Sequence, residues 1–561
     1  MNKIKNTIYE SSIYILMLMG VSLLVTFFLF YLHISISFIN FILSIIIATI
    51  VYYLLRKKLK VTDFKKSIIV SILILFISIL ISGFIFDRSS DGNTYHKDAV
   101  SSLKNGWNPV YESSEKFTKK YYKNTGYNME VYSIWKDHYS KANWVLEANI
   151  YSLTNNIESA KAINLLFMYI LFGIALSYFS SKLGLKKGLI LSLIITINPI
   201  TSAQLFTFYN DQLGLTILYT LIISLISIID NKDKTPKFSK LFIMSIGFII
   251  ALNIKFNIMG YALVFTFIFM VKYLYDNYKE SRKTFNKEFK NLVILFIPLF
   301  IISIVFIGYS TYITNFIDHN NPFFPVYGED KEDIITAQEP KEFLKYNNAE
   351  KVFYATFSKV NNLMENKKAE LKIPFTIYKD EIKTSASVDT RISGYGIIFS
   401  GILIISLLII IFNFKKLTKK EKEIIVLLSL IIIGITFLIS EGWWARYNPT
   451  MYILIIISLY ITFKYNNNLI NKIFTSLVIL NTLIILSLNS IYTLTESYKI
   501  NKDFRKMRNK TIEYNLNYGE PIGIISNLDD FNIKYKYNSD IKDNKTSYYK
   551  YLNYKIGDTS E

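Results

Sequence analysis

The 561-residue chain offers few groups able to do polar chemistry. It has no cysteine, which excludes disulfides, a thiolate nucleophile and Cys-based zinc or iron–sulfur centres. Its four histidines, His33, His96, His138 and His319, are too few and scattered to predict a multi-His metal centre. What remains is a small set of Asp, Lys and Arg residues at the edges of apolar runs. Asp87-Arg-Ser-Ser-Asp91-Gly-Asn-Thr-Tyr95-His96 follows one such run. Asn198-Pro199 and Tyr209-Asn210-Asp211-Gln212 lie between two others. Asn253-Ile-Lys255-Phe-Asn257 interrupts an apolar stretch from Leu241 to Tyr273, too long for one span. Glu441-Gly-Trp-Trp-Ala-Arg446-Tyr447-Asn-Pro449 carries the only Arg of the short loops on its side. A carboxylate in such a place can take a proton as general base. Asp91 and Asp211 together could hold Mg²⁺ or Mn²⁺. A guanidinium, Arg446, suits phosphate bidentately, and an ammonium, Lys255, attracts it as a point charge. His96 could orient an acceptor or bind phosphate. Each also has a plainer reading: Asp91 and Asp211 as helix N-caps, Asp87 as an interface marker, His96 as a solvated loop residue, Lys255 as a snorkelling side chain, Trp443 and Trp444 as interfacial anchors.

The elements that must position these residues follow from hydropathy. Hydrophobic residues make up 51 % of the chain, aromatics 16 % and charged residues 19 %, against about 25 % charged in a soluble protein. The apolar residues cluster in runs of about 20, the length that crosses a bilayer. This excludes a soluble enzyme and a disordered chain, and predicts an all-α polytopic membrane protein. Thirteen spans are expected, near 11–33, 35–55, 67–86, 162–181, 187–206, 212–230, 240–253, 256–274, 291–313, 394–413, 423–440, 448–464 and 470–493. The first lacks a convincing cleavage site and is read as a retained helix.

The net charge is +20, from 63 Lys+Arg against 43 Asp+Glu. Segment 56–66 holds six Lys/Arg, 231–240 four, and 275–291 and 414–423 five each. They alternate with loops nearly free of positive charge. The positive-inside rule then puts the N-terminus in the cytoplasm and, after thirteen spans, the C-terminus outside. The Ile/Asn/Lys/Tyr bias suggests a low-GC bacterial genome, hence a bacterial plasma membrane. No recognisable module carries a basic stripe, so nucleic acid is not an expected partner.

Two long loops, 87–161 and 314–393, fall outside, and 494–561 reads as a small external α/β unit following a transmembrane domain over 1–493. In the first loop Trp135, Trp144, Leu146 and Ile150 are spaced for one apolar helix face, which predicts a helix lying on the membrane surface. In the tail, 521–526 reads as a strand after a Pro/Gly turn. Asn315…Asp318-His319-Asn-Asn-Pro322-Phe-Phe-Pro325 reads as a rigid structural turn. The spans themselves are nearly free of ionisable residues, whereas ion-coupled transporters place such groups at mid-depth. The chemistry is therefore expected at the outer interface.

Asp91-Gly-Asn-Thr-Tyr95, continued by Ala99, Leu103 and Gly106-Trp-Asn108-Pro109, resembles the start of the first large external loop in the GT-C superfamily of polyprenyl-phosphate-sugar glycosyltransferases, family 39-like. Members often carry Asp-Glu-x-x-Tyr there, then a short helix and a Gly-Asp/Asn-x-x-Pro-like turn. The match covers roughly 25 residues plus the topology. It departs at Gly92, where the family has Glu, and two spans precede the usual first one. The resemblance implies a membrane glycosyltransferase moving a sugar from a polyprenyl-phosphate donor to a cell-envelope glycan, teichoic acid or protein. Asp91 would be the catalytic base, with Asp211 or Asp87 as a second acid. Arg446 and Lys255 would hold the donor phosphate, and Tyr95, His96 and Asn108 would orient the acceptor. Mg²⁺ or Mn²⁺ on Asp91 and Asp211 is the one cofactor it suggests. Two other classes compete. An O-antigen-type polymerase or ligase would rely on His319 and Arg391 of the late loop. A lipid-linked-glycan flippase would need a polar cavity open to both faces, which the sparse mid-span charge disfavours.

Overall fold

The computed structural model describes residues 2–59, 61, 64–121, 130–230, 235–333, 338–361, 368–466, 468–516, 522–541 and 552–556. Among them, nine helices are long and apolar enough to cross a membrane. The chain is thus a mostly helical membrane protein with a small C-terminal sheet. The other four expected spans also coincide with helical segments. Span 187–206 is divided into Leu185–Thr196 and Pro199–Gln204, and Lys237–Leu252 has 16 residues. Lys419–Leu438 starts with a charged turn, and Pro449–Tyr465 is short. Thirteen crossings are therefore not established by helix length and apolarity alone.

Asp211–Ile229 is the central helix and is almost wholly buried. Ala162–Leu183, Lys237–Leu252 and Phe256–Glu280 pack beside it, and Asn2–Tyr31 packs in turn on Ala162–Leu183. Phe64–Gly83 and Arg282–Ile307 are peripheral and expose Ile69, Phe76, Ile294 and Ile297, as lipid-facing helices do. Phe64–Gly83 turns Ser67, Ser71, Ser78 and Ser82 inward at helical spacing. Small residues let backbones approach closely, and Ser71 Oγ donates to the Ser11 carbonyl of the first helix at 3.1 Å.

The segment expected to lie on the membrane surface does not. Tyr139–Lys141 breaks it into Glu130–His138 and Ala142–Thr154. Trp144, Leu146 and Ile150 are completely or almost completely buried, so the apolar face meets the protein core.

Asn468–Met507 has 40 residues, about 60 Å of helix, roughly twice the thickness of a hydrocarbon core. It runs unbroken through residue 493 into the C-terminal unit. There β1 (Thr511–Leu516) lies between β2 (Lys534–Tyr537), parallel to it, and β3 (Leu552–Ile556), antiparallel. The expected strand over 521–526 is instead the start of helix Ile524–Asp530, the crossover between the two parallel strands; Pro521 lies outside the described residues. Phe504, Met507, Ile512, Ile525 and Leu528 form a separate small core that also takes in Phe86.

A buried polar network docks this unit on the segment that follows Phe64–Gly83. Glu158 accepts from Lys97 Nζ at 2.5 Å, from Lys161 Nζ, and from Asn527 Nδ2 at 3.0 Å. The Gly523 N–H donates to the Asn93 carbonyl at 2.8 Å. Asp530 accepts from the Ile157 N–H at 2.7 Å and from the Tyr151 hydroxyl at 2.8 Å. Lys97, Glu158 and Lys161 are all at most 1 % exposed, so neutralising Glu158 removes the countercharge that two buried ammoniums share. Glu158→Gln should cost about 3–5 kcal/mol and visibly lower the unfolding temperature in detergent. Unchanged unfolding would show that the network carries no stability.

Candidate functional site

Asp91 sits on a tight turn built by its neighbours. Asp87, itself fully buried, accepts from the Ser89 N–H at 2.7 Å, Ser89 Oγ at 2.8 Å and the Phe208 N–H at 2.9 Å. This ties the turn to the stretch preceding Asp211. A Cβ on Gly92 would lie 2.0 Å from Asp87 Oδ2 and 2.2 Å from Ser89 Oγ. Position 92 therefore has no room for a side chain. Gly92–His96 forms one wide helical turn leading into Lys97–Lys104. Asp91 makes no capping bond; its carboxylate faces Arg446 instead.

Asp211 does not cap its helix either. It pairs with Lys255 Nζ and accepts from Gln204 Nε2 at 3.3 Å. Gln204 comes from the short helix started by Asn198-Pro199, whose Asn198 side chain caps the Ile200 and Thr201 N–H groups. Lys255 occupies the expected break between Lys237–Leu252 and Phe256–Glu280. Its ammonium lies 4.2 Å from the Tyr447 ring centroid.

These stretches meet at one guanidinium. Arg446 Nη1 is 3.5 Å from Asp91 Oδ2, 3.7 Å from Asp211 Oδ2 and 3.3 Å from Asp389 Oδ1. Its plane lies over Trp444, Tyr209 and Tyr447, at 4.6, 4.8 and 5.1 Å, and its buried Nε has no hydrogen-bond partner. Asp389, not anticipated from sequence, comes from the end of the long loop 314–393. It is held by Arg391 Nη2 at 3.4 Å and by the Trp444 indole, which donates to its carbonyl at 2.6 Å. Trp444 is thus a buried part of the site, and Trp443, also buried, stacks on it with ring centroids 5.3 Å apart; neither is a membrane-surface anchor. The site balances three carboxylates against Arg446, Lys255 and Arg391. Asp91 is its most open acid: its side chain is 35 % exposed, against 16 % for Asp389 and 3 % for Asp211.

Withdrawal from bulk water raises the Asp91 carboxyl above its usual range. Arg446 opposes the rise, while Asp389 and Asp211 reinforce it. His96 is pushed down to about 3, by burial first and then by Lys255. It is neutral at physiological pH, and its Nδ1 accepts from the Trp144 indole at 2.7 Å, leaving Nε2 as the ring donor. Tyr95 packs against His96, ring centroids 4.2 Å apart. Burial holds the Tyr95, Tyr139 and Tyr209 phenols well above their usual range, as uncharged groups.

Other expected site residues lie apart from the cluster. Asp87 spends its oxygens on the turn. Asn108 donates to the Phe30 carbonyl at 2.9 Å and accepts from the Val110 N–H, joining a turn to the end of the first helix. His319 stacks on Phe324, centroids 3.7 Å apart, and Asn315 ties His138 to the same turn, as a structural loop requires. Among the described residues no three acidic or histidine side chains form a metal-ligand group. The residues present do not fit a resident Mg²⁺ or Mn²⁺ on Asp91 and Asp211: guanidinium and ammonium already supply the positive charge there.

A cavity of about 1020 Å³ opens beside the cluster, between Phe256–Glu280 and Lys419–Leu438. Its walls are apolar, with Val264 and Ile268 on one helix and Leu430 and Leu438 on the other. Leu430 is 63 % and Leu438 82 % exposed. Gly260 and Gly434 line it with open space where a side chain would project. Its polar lining includes Lys255 and Tyr447 beside the cluster, with Lys331, Lys351 and the carboxylates Glu332, Asp333, Glu339 and Glu441. No family model and no curated protein matches the chain.

The shared guanidinium makes a quantitative prediction. Arg446→Ala should lower the unfolding temperature, and Asp389→Asn in the same chain should recover part of the loss, with a coupling energy of about 0.5–3 kcal/mol. Strictly additive effects would contradict the shared contact.

Proposed function

We propose that this protein is an integral membrane glycosyltransferase that moves a sugar from a polyprenyl-phosphate donor to a hydroxyl of a cell-envelope glycan, teichoic acid or protein. One observation carries the reading: Lys255 pairs with Asp211 of the charge cluster and also lines the apolar lateral cavity. A ligand with a long hydrocarbon tail and an anionic head fits that combination. The reading puts the protein in a bacterial plasma membrane with thirteen crossings. The N-terminus is then cytoplasmic, and the cluster and C-terminal unit are external.

The prenyl chain lies between Val264 and Leu430, and the phosphate meets Lys255 and Arg446. A phosphodiester adds one negative charge to a balanced cluster. It competes with the three aspartates for Arg446, whose contacts to them are 3.3–3.7 Å long. Asp91 loses part of its counter-charge and becomes a stronger base. It takes the proton of the acceptor hydroxyl as the acceptor oxygen bonds to the anomeric carbon. The bond from that carbon to the phosphate oxygen breaks, and the electron pair stays on the phosphate. Direct displacement inverts the anomeric centre. The leaving phosphate needs no proton at neutral pH, so one carboxylate suffices where a glycosidase uses two. Charge compensation falls to Arg446 and Lys255, so EDTA should leave the rate unchanged.

In proteoliposomes carrying a labelled polyprenyl-phosphate sugar, Asp91→Asn should lose at least about a hundredfold in transfer, the lower end for a general base, with expression and unfolding preserved. The wild-type rate should fall as pH drops, with a midpoint above the usual carboxylate value of about 4, because the base works only deprotonated and burial raises its pKa. Near-normal turnover by Asp91→Asn would remove Asp91 from the mechanism. Gly434→Trp, which fills the cavity, should raise KM for the lipid donor; an unchanged KM would place the donor elsewhere.

A further inference from the structure

The opposite end of the bundle holds a second cavity, of about 300 Å³. Helix Asp211–Ile229 connects the two places. Its first residue pairs with Lys255, and Ile226 in its last turn faces the second cavity. Its nineteen residues span about 28 Å, close to the roughly 30 Å thickness of a hydrocarbon core. The charge cluster and the mouth of the second cavity are therefore separated by about the thickness of a hydrocarbon core.

The second cavity is amphipathic. Its interior is aliphatic, with Ile223, Ile425 and Ile456 among its walls. Its mouth is ionic. Lys182 meets Asp230 at 2.5 Å, Lys464 meets Glu421, and Lys420 reaches outward to Asp276 at 2.5 Å. Tyr178 and Tyr460 donate to Asp230 and Glu421 at 3.1 and 2.7 Å, which fixes both carboxylates in place. Each of the three ammoniums thus has one carboxylate partner, and two of these, Asp230 and Glu421, line the mouth itself. Each ammonium has three N–H donors, and the three lysine side chains remain 11–31 % exposed. The surrounding face is basic as well: segments 275–291 and 414–423, at this end of their helices, hold five Lys/Arg each. An aliphatic hollow under a cationic rim, at the depth where the bilayer turns polar, matches a lipid better than a soluble anion, which has no use for the hollow. The positive excess of the surrounding segments 275–291 and 414–423 favours an anionic headgroup, at about 1 kcal/mol per nearby basic side chain.

We propose that this cavity binds an anionic phospholipid, one acyl chain inside and the headgroup phosphate on Lys182, Lys420 and Lys464. The site is independent of the glycosyl-transfer reading. Native mass spectrometry of the detergent-purified full chain tests it with phosphatidylglycerol and phosphatidylcholine of identical chains, beside excess inorganic phosphate. One phosphatidylglycerol should remain bound where phosphatidylcholine is lost, and phosphate should not displace it. Lys464→Gln should weaken retention roughly fivefold. Ile456→Trp, which fills the hollow and leaves every rim charge in place, should abolish it with unfolding unchanged. Displacement by phosphate would reduce the site to an anion patch and overturn the acyl-chain assignment. Equal retention of both lipids, or of phosphatidylglycerol by wild type and Ile456→Trp, would overturn the proposal.

Discussion

Three carboxylates from residues 91, 211 and 389 lie within 3.7 Å of a single guanidinium nitrogen on residue 446. Asp211, 3 % exposed, is too withdrawn from water to carry charge without a partner, and Arg446, 8 % exposed, is no less dependent on the carboxylates. Each of these side chains therefore constrains the element that bears it: the turn after Phe64–Gly83, the start of the central helix, the end of the long loop and the turn before Pro449–Tyr465. Aromatic rings close the arrangement, since Arg446 lies over Tyr209, Trp444 and Tyr447. A loop of 80 residues, 314–393, ends in a defined place because Asp389 and the Trp444 indole hold it there. Balanced charge is also what makes the cluster responsive: an added anion changes the field at Asp91 more than it would at an exposed, screened group.

The turn bearing Asp91 is stiffened from outside the bundle. Asp87 fastens it to Phe208, the Gly523 N–H bonds to Asn93, and Lys97 and Asn527 share Glu158. The small C-terminal sheet thus packs on the segment leading away from the site. The second core, which includes both Phe86 and Leu528, joins the two in one apolar contact. The long helix Asn468–Met507 delivers the chain to this position.

Much of this was readable from residues set against an apolar background. Asp91, Asp211, Lys255 and Arg446 stand out because each sits beside some 20 apolar residues, where a charge needs a reason. Asp389 had no such contrast: in a polar loop one more aspartate carries no signal, although Arg391 two residues on and the apolar run from 394 were a faint one. Gln204 was hidden for a different reason. It lay inside what hydropathy reads as one span, and only the Asn198-Pro199 cap shows where that span breaks. Asp87 and Asn108 drew attention by position, but their oxygens serve turns. Trp443 and Trp444 read as membrane anchors because hydropathy does not distinguish a ring facing headgroups from one buried beside an Arg, as Trp444 is. Helix 142–154 follows the same rule: an apolar face says that something covers it and not what.

The central claim is that the charge cluster receives the anionic head of a lipid whose tail lies between Phe256–Glu280 and Lys419–Leu438. Photo-crosslinking with a diazirine-bearing polyprenyl phosphate, in membranes containing the full chain, measures this directly. The label should fall on residues 256–268 and 427–447, and unlabelled polyprenyl phosphate should compete it away. Labelling elsewhere, or labelling of those helices that excess polyprenyl phosphate leaves undiminished, would contradict it.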